Sequence, residues 1–130
     1  MRILFDTNIY FSALLYPDSK PARAIQAASK NYTLILADYN IVELRRIAQK
    51  KCPDRLPDID VFLAKLTYSQ VTAPLAPQKL IPDPKDAPIL NAAILSEVDI
   101  IVSGDHHFLQ LDLEYPQVMT PSAFLDYIEQ

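Results

Sequence analysis

The sequence has little cysteine and no long apolar run, and each shortage excludes a class of protein. Cys52 is the only cysteine among the 130 residues, so neither an internal disulfide nor a cysteine-based zinc cluster can form. No apolar stretch approaches the roughly 18 residues of a membrane-spanning helix, so we expect no membrane segment. The only basic residue near the N-terminus is Arg2, and the apolar run stops at Asp6. We therefore expect no signal peptide and a cytoplasmic protein.

An excess of basic residues is also missing. The chain has 12 lysines and arginines against 16 aspartates and glutamates, which gives a net charge of −4. This charge argues against a protein that coats nucleic acid by bulk attraction, but it is compatible with an enzyme that binds nucleic acid through metal ions and a local basic patch. A length of 130 residues, half of them apolar, predicts one domain with a substantial core.

The opening segment predicts a strand that ends in polar residues. Residues 3–5 form a short apolar run typical of a buried parallel strand. In open α/β sheets the ligand crevice lies outside the carboxyl ends of the strands, which is where Asp6, Thr7 and Asn8 would lie. The simpler interpretation is that Asp6 only caps a helix starting near Ile9.

Short apolar runs alternate with segments of helical periodicity along the rest of the chain. This alternation predicts an α/β fold with a parallel sheet and helices on both faces. Asp38 or Asn40 is a candidate cap for the third helix, and residues 73–88 form a connector that holds five of the eleven prolines. The predicted strands are 3–5, 32–36, 99–102 and 117–119, and the predicted helices are 9–15, 22–30, 41–48, 57–69, 86–98 and 122–128.

Four acidic residues stand at informative places in this order. Asp6 and Asp105 each follow a predicted strand, so they would emerge at one edge if the two strands are parallel neighbours. Glu43 lies within the third helix, and Asp86 lies at the start of the fifth. Carboxylates crowded in a crevice of low dielectric stay ionised only if cations neutralise them. An oxygen-only set of this kind suits Mg²⁺ or Mn²⁺.

Each of these acids also has a simpler explanation. Asp105 can be a turn residue after the only glycine, Glu43 can be a solvated charge on a helix face, and Asp86 is a good helix cap. His106 and His107 directly follow Asp105, where a general acid or a zinc ligand is conceivable. The interpretation we prefer for both histidines is that they lie on the turn after the strand without a chemical role.

Four motifs and a tail occur in a characteristic order. They are Asp6-Thr7-Asn8, residues 37–44 around Glu43, Asp83-Pro84-Lys85-Asp86, residues 101–109 around Asp105, and residues 120–125. In this order the sequence resembles the PIN domain family over its whole length. The similarity is to the VapC-like branch, whose members are toxin components of toxin–antitoxin modules. One departure is Ala37, where family members commonly have serine.

The resemblance implies a single PIN domain over residues 1–130, with three α/β/α layers around a parallel sheet of about five strands. It implies an Mg²⁺- or Mn²⁺-dependent endoribonuclease that hydrolyses RNA phosphodiester bonds. The implied catalytic acids are Asp6, Glu43, Asp86 and Asp105, with Asp6, Asp86 and Asp105 as metal ligands. Thr7, Asn8 and Ser103 would support them, and Arg45, Arg46 and Lys50 are candidate RNA contacts.

Two other functions stay open at this stage. One is a PIN-like nucleic-acid-binding module without cleavage activity, and the other is phosphoryl transfer through Asp6. Sites of the second kind usually have another acid two residues on, where this chain has Asn8. The expected partners are an RNA substrate, a small antitoxin protein and a second copy of the chain in a homodimer. Phe124, Leu125 and Ile128 would either form apolar surface for a protein partner or close the core.

Overall fold

The fold is organised around five short parallel strands. A computed structural model of the chain describes residues 1–129. The strands pair in the order β3-β2-β1-β4-β5, and every pairing is parallel. The predicted α/β fold with a parallel sheet of about five strands is confirmed. The strands are β1 (Arg2–Phe5), β2 (Thr33–Ala37), β3 (Ser69–Val71), β4 (Ile100–Val102) and β5 (Gln117–Met119).

Helices cover both faces of this sheet. A short 3₁₀ turn, Pro53–Arg55, joins the third and fourth of them. Over residues 1–129, none of the helices is both long and apolar enough to span a membrane. The helices are α1 (Thr7–Leu15), α2 (Lys20–Asn31), α3 (Asp38–Lys51), α4 (Leu56–Ala64), α5 (Ala87–Leu95), α6 (His106–Leu109) and α7 (Pro121–Ile128).

The central strands divide their side chains between two cores, because successive residues of a strand point to opposite faces. In β1, Ile3 and Phe5 pack into a core with α1, α2, α3, α4 and α7. Leu4, between them, packs into a second core with α5 and α6. Burial on both faces explains why these strands are continuous apolar runs without polar alternation.

Two element boundaries differ from the sequence prediction. The helix predicted to reach residue 69 ends at Ala64, and the strand Ser69–Val71 follows where none was predicted. This strand is short, polar and mostly exposed at the sheet edge, so it has no hydrophobic pattern. The helix predicted over 86–98 ends at Leu95, because the backbone turns at Glu97, whose φ is 55°.

The capping prediction for α3 was wrong. Ala37 occupies the N-cap position, and Asn40 reaches back from inside the helix, accepting a hydrogen bond from Ala37 N through its Oδ1 at 3.0 Å. Asp38 instead accepts hydrogen bonds from Tyr39 N and Ala73 N, both at 2.8 Å. The second contact ties the start of the proline-rich connector to α3.

The C-terminal helix closes the first core. Phe124 is fully buried against this core, and Leu125 and Ile128 pack beside it. Of the two roles considered for these residues, the structure therefore supports closure of the core.

Candidate metal centre

Asp6 and Asp105 meet at one edge of the sheet because β1 and β4 are neighbours in register. Phe5 is paired with Val102, and Asp6 N donates a hydrogen bond to Val102 O at 2.9 Å. Asp6 occupies the N-cap position of α1, yet its side chain makes no capping hydrogen bond. Its carboxylate is therefore held for another purpose than helix capping.

Ser103 connects these two aspartates. Its Oγ donates to Asp6 Oδ2 at 3.0 Å and accepts from Asp105 N at 3.0 Å. Asp105 is half-buried and also caps α6, because its Oδ1 accepts from His107 N at 2.8 Å. Asp105 is thus both the turn residue of the simpler interpretation and a neighbour of Asp6.

Glu43 projects from α3 into the same region and is buried, although a helical glutamate is usually solvated. Next to it, Asn40 Nδ2 donates to Thr7 Oγ1 at 2.9 Å and to Phe5 O at 3.3 Å. Asn40 is 1 % exposed, and it joins α3 to the end of β1. Sequence reasoning treated it only as a helix cap and missed this bridging role.

Asp86 approaches from the opposite side, at the start of α5. It makes no capping hydrogen bond, and its Oδ2 is buried without a hydrogen-bond partner anywhere in residues 1–129. The turn that carries it is fixed locally, because Asp86 N donates to Asp83 O at 3.0 Å and Lys85 N donates to Asp83 Oδ1 at 2.9 Å. Asp83 consequently lies beside Asp86, which the sequence had not indicated.

The four predicted acids line one cleft of about 350 Å³. Asn8 lies at its exposed mouth, whereas Thr7 and Ser103 support it from beneath through their hydrogen bonds. The lining residues are Asp6, Asn8, Glu43, Arg46, Ile47, Lys50, Lys51, Asp83, Lys85, Asp86 and Asp105.

The electrostatics of the cleft oppose ionisation of its acids. Burial raises the pKa of Asp6 to about 6, with the Ser103 hydrogen bond opposing it and the charges of Glu43 and Asp105 adding to it. Burial and the surrounding carboxylates raise the pKa of Asp86 to about 7. Burial also raises the pKa of Glu43, against the effects of the Thr7 hydroxyl and the Arg46 charge. The metal-free site therefore retains protons near neutrality.

Basic side chains form one wall of the cleft, on α3. Arg46 and Lys50 line it, as does Lys51. Arg45, which was predicted alongside them, does not line it: its guanidinium pairs with Asp60 on the exposed side of α3. The structure thus brings two of the three predicted RNA contacts next to the acids.

The donor set fits a divalent cation with oxygen ligands. Asp6, Asp86 and Asp105 present carboxylate oxygens from three separate segments, and Asp86 Oδ2 has no partner in the part of the chain described. Buried polar atoms are normally satisfied, so an unpartnered carboxylate oxygen facing other carboxylates marks a place for a positive ligand. Mg²⁺ and Mn²⁺ both accept such ligands.

A three-layer α/β/α domain with a carboxylate-lined cleft at the carboxyl edge of its parallel sheet belongs to the class of domains built to bind divalent cations. The sequence narrows this class further. A family model described as PIN domain matches residues 2–107, and the chain belongs to this family.

A solved structure and the curated proteins were compared with the chain. The fold is similar to a chain in the crystal structure of VapBC2 from Rickettsia felis bound to a DNA fragment from their promoter. The TM-score is 0.70 at 18 % identity, and the match covers 92 % of this chain and 97 % of that chain. The chain matches none of the curated proteins.

Proposed function

We propose that the chain is a single-domain, Mg²⁺- or Mn²⁺-dependent endoribonuclease that hydrolyses RNA at the cleft of Asp6, Glu43, Asp86 and Asp105. The observation that carries this proposal is the convergence of these acids in one cleft, with a buried, unpartnered oxygen on Asp86. Membership of the PIN domain family supports it. A bound divalent ion supplies positive charge that offsets the charge of the scissile phosphate and makes a nearby water more acidic.

The chain's own residues divide the remaining tasks. Asp6, Asp86 and Asp105 hold the cation, and Ser103 fixes the orientation of Asp6. Glu43 is buried on the opposite wall, where it orients the attacking water and accepts its proton. A raised pKa suits that task, because a general base works best near the operating pH.

Arg46 and Lys50 bind the RNA backbone beside the acids. Both lie on α3, on the face that carries Glu43, so phosphates that contact them pass over the carboxylates. A positive wall next to an acidic centre explains how a chain of net charge −4 would bind a polyanion.

The direct test of this activity is cleavage of a mixed RNA by purified protein with Mg²⁺ or Mn²⁺. We expect cleavage that stops in excess EDTA and falls by at least about a hundredfold in Asp6→Asn, since one lost catalytic electrostatic contact commonly has that effect. Asp54→Asn is the matched control, because Asp54 is exposed on the 3₁₀ turn and does not line the cleft. Binding of RNA without cleavage in every metal would instead favour the binding-module alternative.

We further propose that the chain acts as the toxin of a toxin–antitoxin module, inhibited by a small antitoxin protein. The supporting observation is the likeness of its fold to a chain of the VapBC2 structure. Expression of the wild-type chain should arrest growth, whereas Asp6→Asn should not. Co-expression of a small protein encoded by the neighbouring reading frame should restore growth, and arrest by Asp6→Asn would contradict the proposal.

A further inference from the structure

A second group of donor atoms lies beside the acidic centre. One carboxylate oxygen each from Asp83 and Asp86 and one ring nitrogen of His107 lie within 4.8 Å of one another. The two aspartates come from the turn before α5, and the histidine comes from the first turn of α6. Two distant segments therefore converge on one point at the border of the acidic cleft.

Two of these three donors are buried and unpartnered. His107 Nδ1 and Asp86 Oδ2 are enclosed and make no hydrogen bond within residues 1–129. The nearest acceptor reported for His107 Nδ1 is Asp105 Oδ1 at 3.6 Å, which is too long for a hydrogen bond. Asp86 is only 8 % exposed, so water does not readily satisfy its free oxygen.

The backbone holds His107 so that its ring is available. Its N–H donates to Asp105 Oδ1 at 2.8 Å, which fixes the first turn of α6 at the cleft. The ring lies against that of His106, with 4.1 Å between the centroids. With the proton on Nε2, Nδ1 offers a lone pair toward the aspartates.

We propose that Asp83, Asp86 and His107 bind a divalent transition-metal ion at a second site, which shares Asp86 with the first. This proposal rests on the proposed function only in that shared residue. Donors bound at about 2.0–2.2 Å from one ion lie at most roughly 4.4 Å apart, so the observed group needs to contract by only a few tenths of an ångström. Waters would complete the coordination.

The nitrogen donor determines which ions this second site selects. Imidazole is a good ligand for transition metals, whereas Mg²⁺ prefers oxygen and retains its waters. The first site, with oxygen donors only, accepts Mg²⁺ and Mn²⁺ alike. We therefore infer that the chain binds one Mg²⁺ but two Mn²⁺, and that His107 accounts for the difference.

The test counts bound Mn²⁺ by electron paramagnetic resonance, without any RNA. We expect two ions per wild-type chain and two in His106→Gln, the matched control, whose side chain is exposed and outside the donor group. In His107→Gln we expect one ion to bind as before and the other to weaken at least about tenfold. Equal Mn²⁺ binding by the His106→Gln and His107→Gln proteins overturns the proposal.

A spectroscopic signature separates direct ligation from a structural effect of the substitution. Spin-echo modulation of bound Mn²⁺ should show a coordinated imidazole nitrogen in wild type and in Asp6→Asn, which weakens the first site alone. The signal should be lost in His107→Gln. Its absence from the wild-type protein at saturating Mn²⁺ overturns the proposal, whether or not the protein cleaves RNA, so failure here is distinct from failure of the ribonuclease proposal.

Discussion

Ser103 Oγ donates a hydrogen bond to Asp6 Oδ2 at 3.0 Å and so joins the residues that follow two adjacent strands, β4 and β1. Both residues are buried, and Ser103 is fully so. The same oxygen accepts from Asp105 N at 3.0 Å. A single hydroxyl thus fixes the spacing between two of the proposed metal ligands.

Removing this hydroxyl should weaken both the fold and the metal site. We expect Ser103→Ala to lower the free energy of unfolding by about 1–3 kcal/mol, because it leaves a buried carboxylate oxygen without its donor. Mn²⁺ affinity should fall by about tenfold or more, as for other residues that orient ligands. Urea denaturation in EDTA and Mn²⁺ titration measure the two effects. An unchanged Mn²⁺ affinity in a folded Ser103→Ala protein would show that the hydroxyl has no positioning role.

Replacing Asp86 should stabilise the metal-free protein while removing its response to metal. Its carboxylate makes no capping hydrogen bond and stands among other acids, so its charge is unfavourable when no cation is present. At about pH 8 in EDTA we expect Asp86→Asn to unfold with a free energy at least about 1 kcal/mol above wild type. Added Mn²⁺ should raise the melting temperature of wild type and of Asp54→Asn far more than that of Asp86→Asn.

The opposite result for Asp86→Asn has a clear meaning. A loss of stability by about 1 kcal/mol in EDTA, with the Mn²⁺ response intact, is what a helix cap without a metal role would give. Asp83→Asn separates the two aspartates of the turn. It should retain the Mg²⁺ response of wild type, because Asp83 is proposed as a ligand of the second site alone.

The stability of the metal-free protein should depend on pH with a defined sign. The pKa values of Asp6 and Asp86 are raised from 3.8 to about 6 and about 7 in the folded state. Between about pH 4 and pH 7 the folded state therefore holds protons that the unfolded state has released, so stability from these groups falls as pH rises. Denaturation in EDTA across this range should show a steeper decline for wild type than for Asp86→Asn. Parallel curves would contradict the assignment.

Arg46 and its neighbour Arg45 provide a matched pair for RNA binding. Arg46 lines the acidic cleft, whereas Arg45 pairs with Asp60 on the outer side of the same helix. In an Asp6→Asn background that does not cleave, Arg46→Ala should weaken binding of single-stranded RNA. Its salt dependence should fall by about 0.7 in the slope of log K against log salt for each lost phosphate contact. Arg45→Ala should change neither quantity, and an equal loss in both variants would contradict this path for the RNA.

The sequence predicted those parts of the fold and site that depend on local pattern. Residues 3–5 form an apolar run ended by an acid, and a run of that kind is typical of a buried strand that delivers a side chain to the sheet edge. Family motifs added Glu43 and Asp86, whose local patterns alone suit a solvated charge and a helix cap. The burial of Glu43 could not be predicted locally, because it depends on how α3 packs against β1 through Asn40.

Features that depend on distant segments were missed. The edge strand β3 lacks any hydrophobic alternation, so its sequence does not differ from that of a loop. Asp83 and His107 are 24 positions apart, and they meet because the turn before α5 faces the start of α6. Asn91 holds the connector in place by accepting from Gln78 N at 3.1 Å and donating to Gln78 O at 2.9 Å. None of these contacts has a signature in the local sequence.

Analysis of the RNA products formed in heavy-oxygen water tests the central proposal most directly. Hydrolysis at the acidic cleft places one heavy oxygen on the terminal phosphate of each cleaved fragment, and this labelling should require Mg²⁺ or Mn²⁺ and intact Asp6. Mass spectrometry of the fragments should accordingly show singly labelled phosphate ends that vanish in EDTA and in Asp6→Asn. Fragments that end in unlabelled cyclic phosphates, or cleavage undiminished by the chelator, would contradict a metal-dependent hydrolase at these carboxylates.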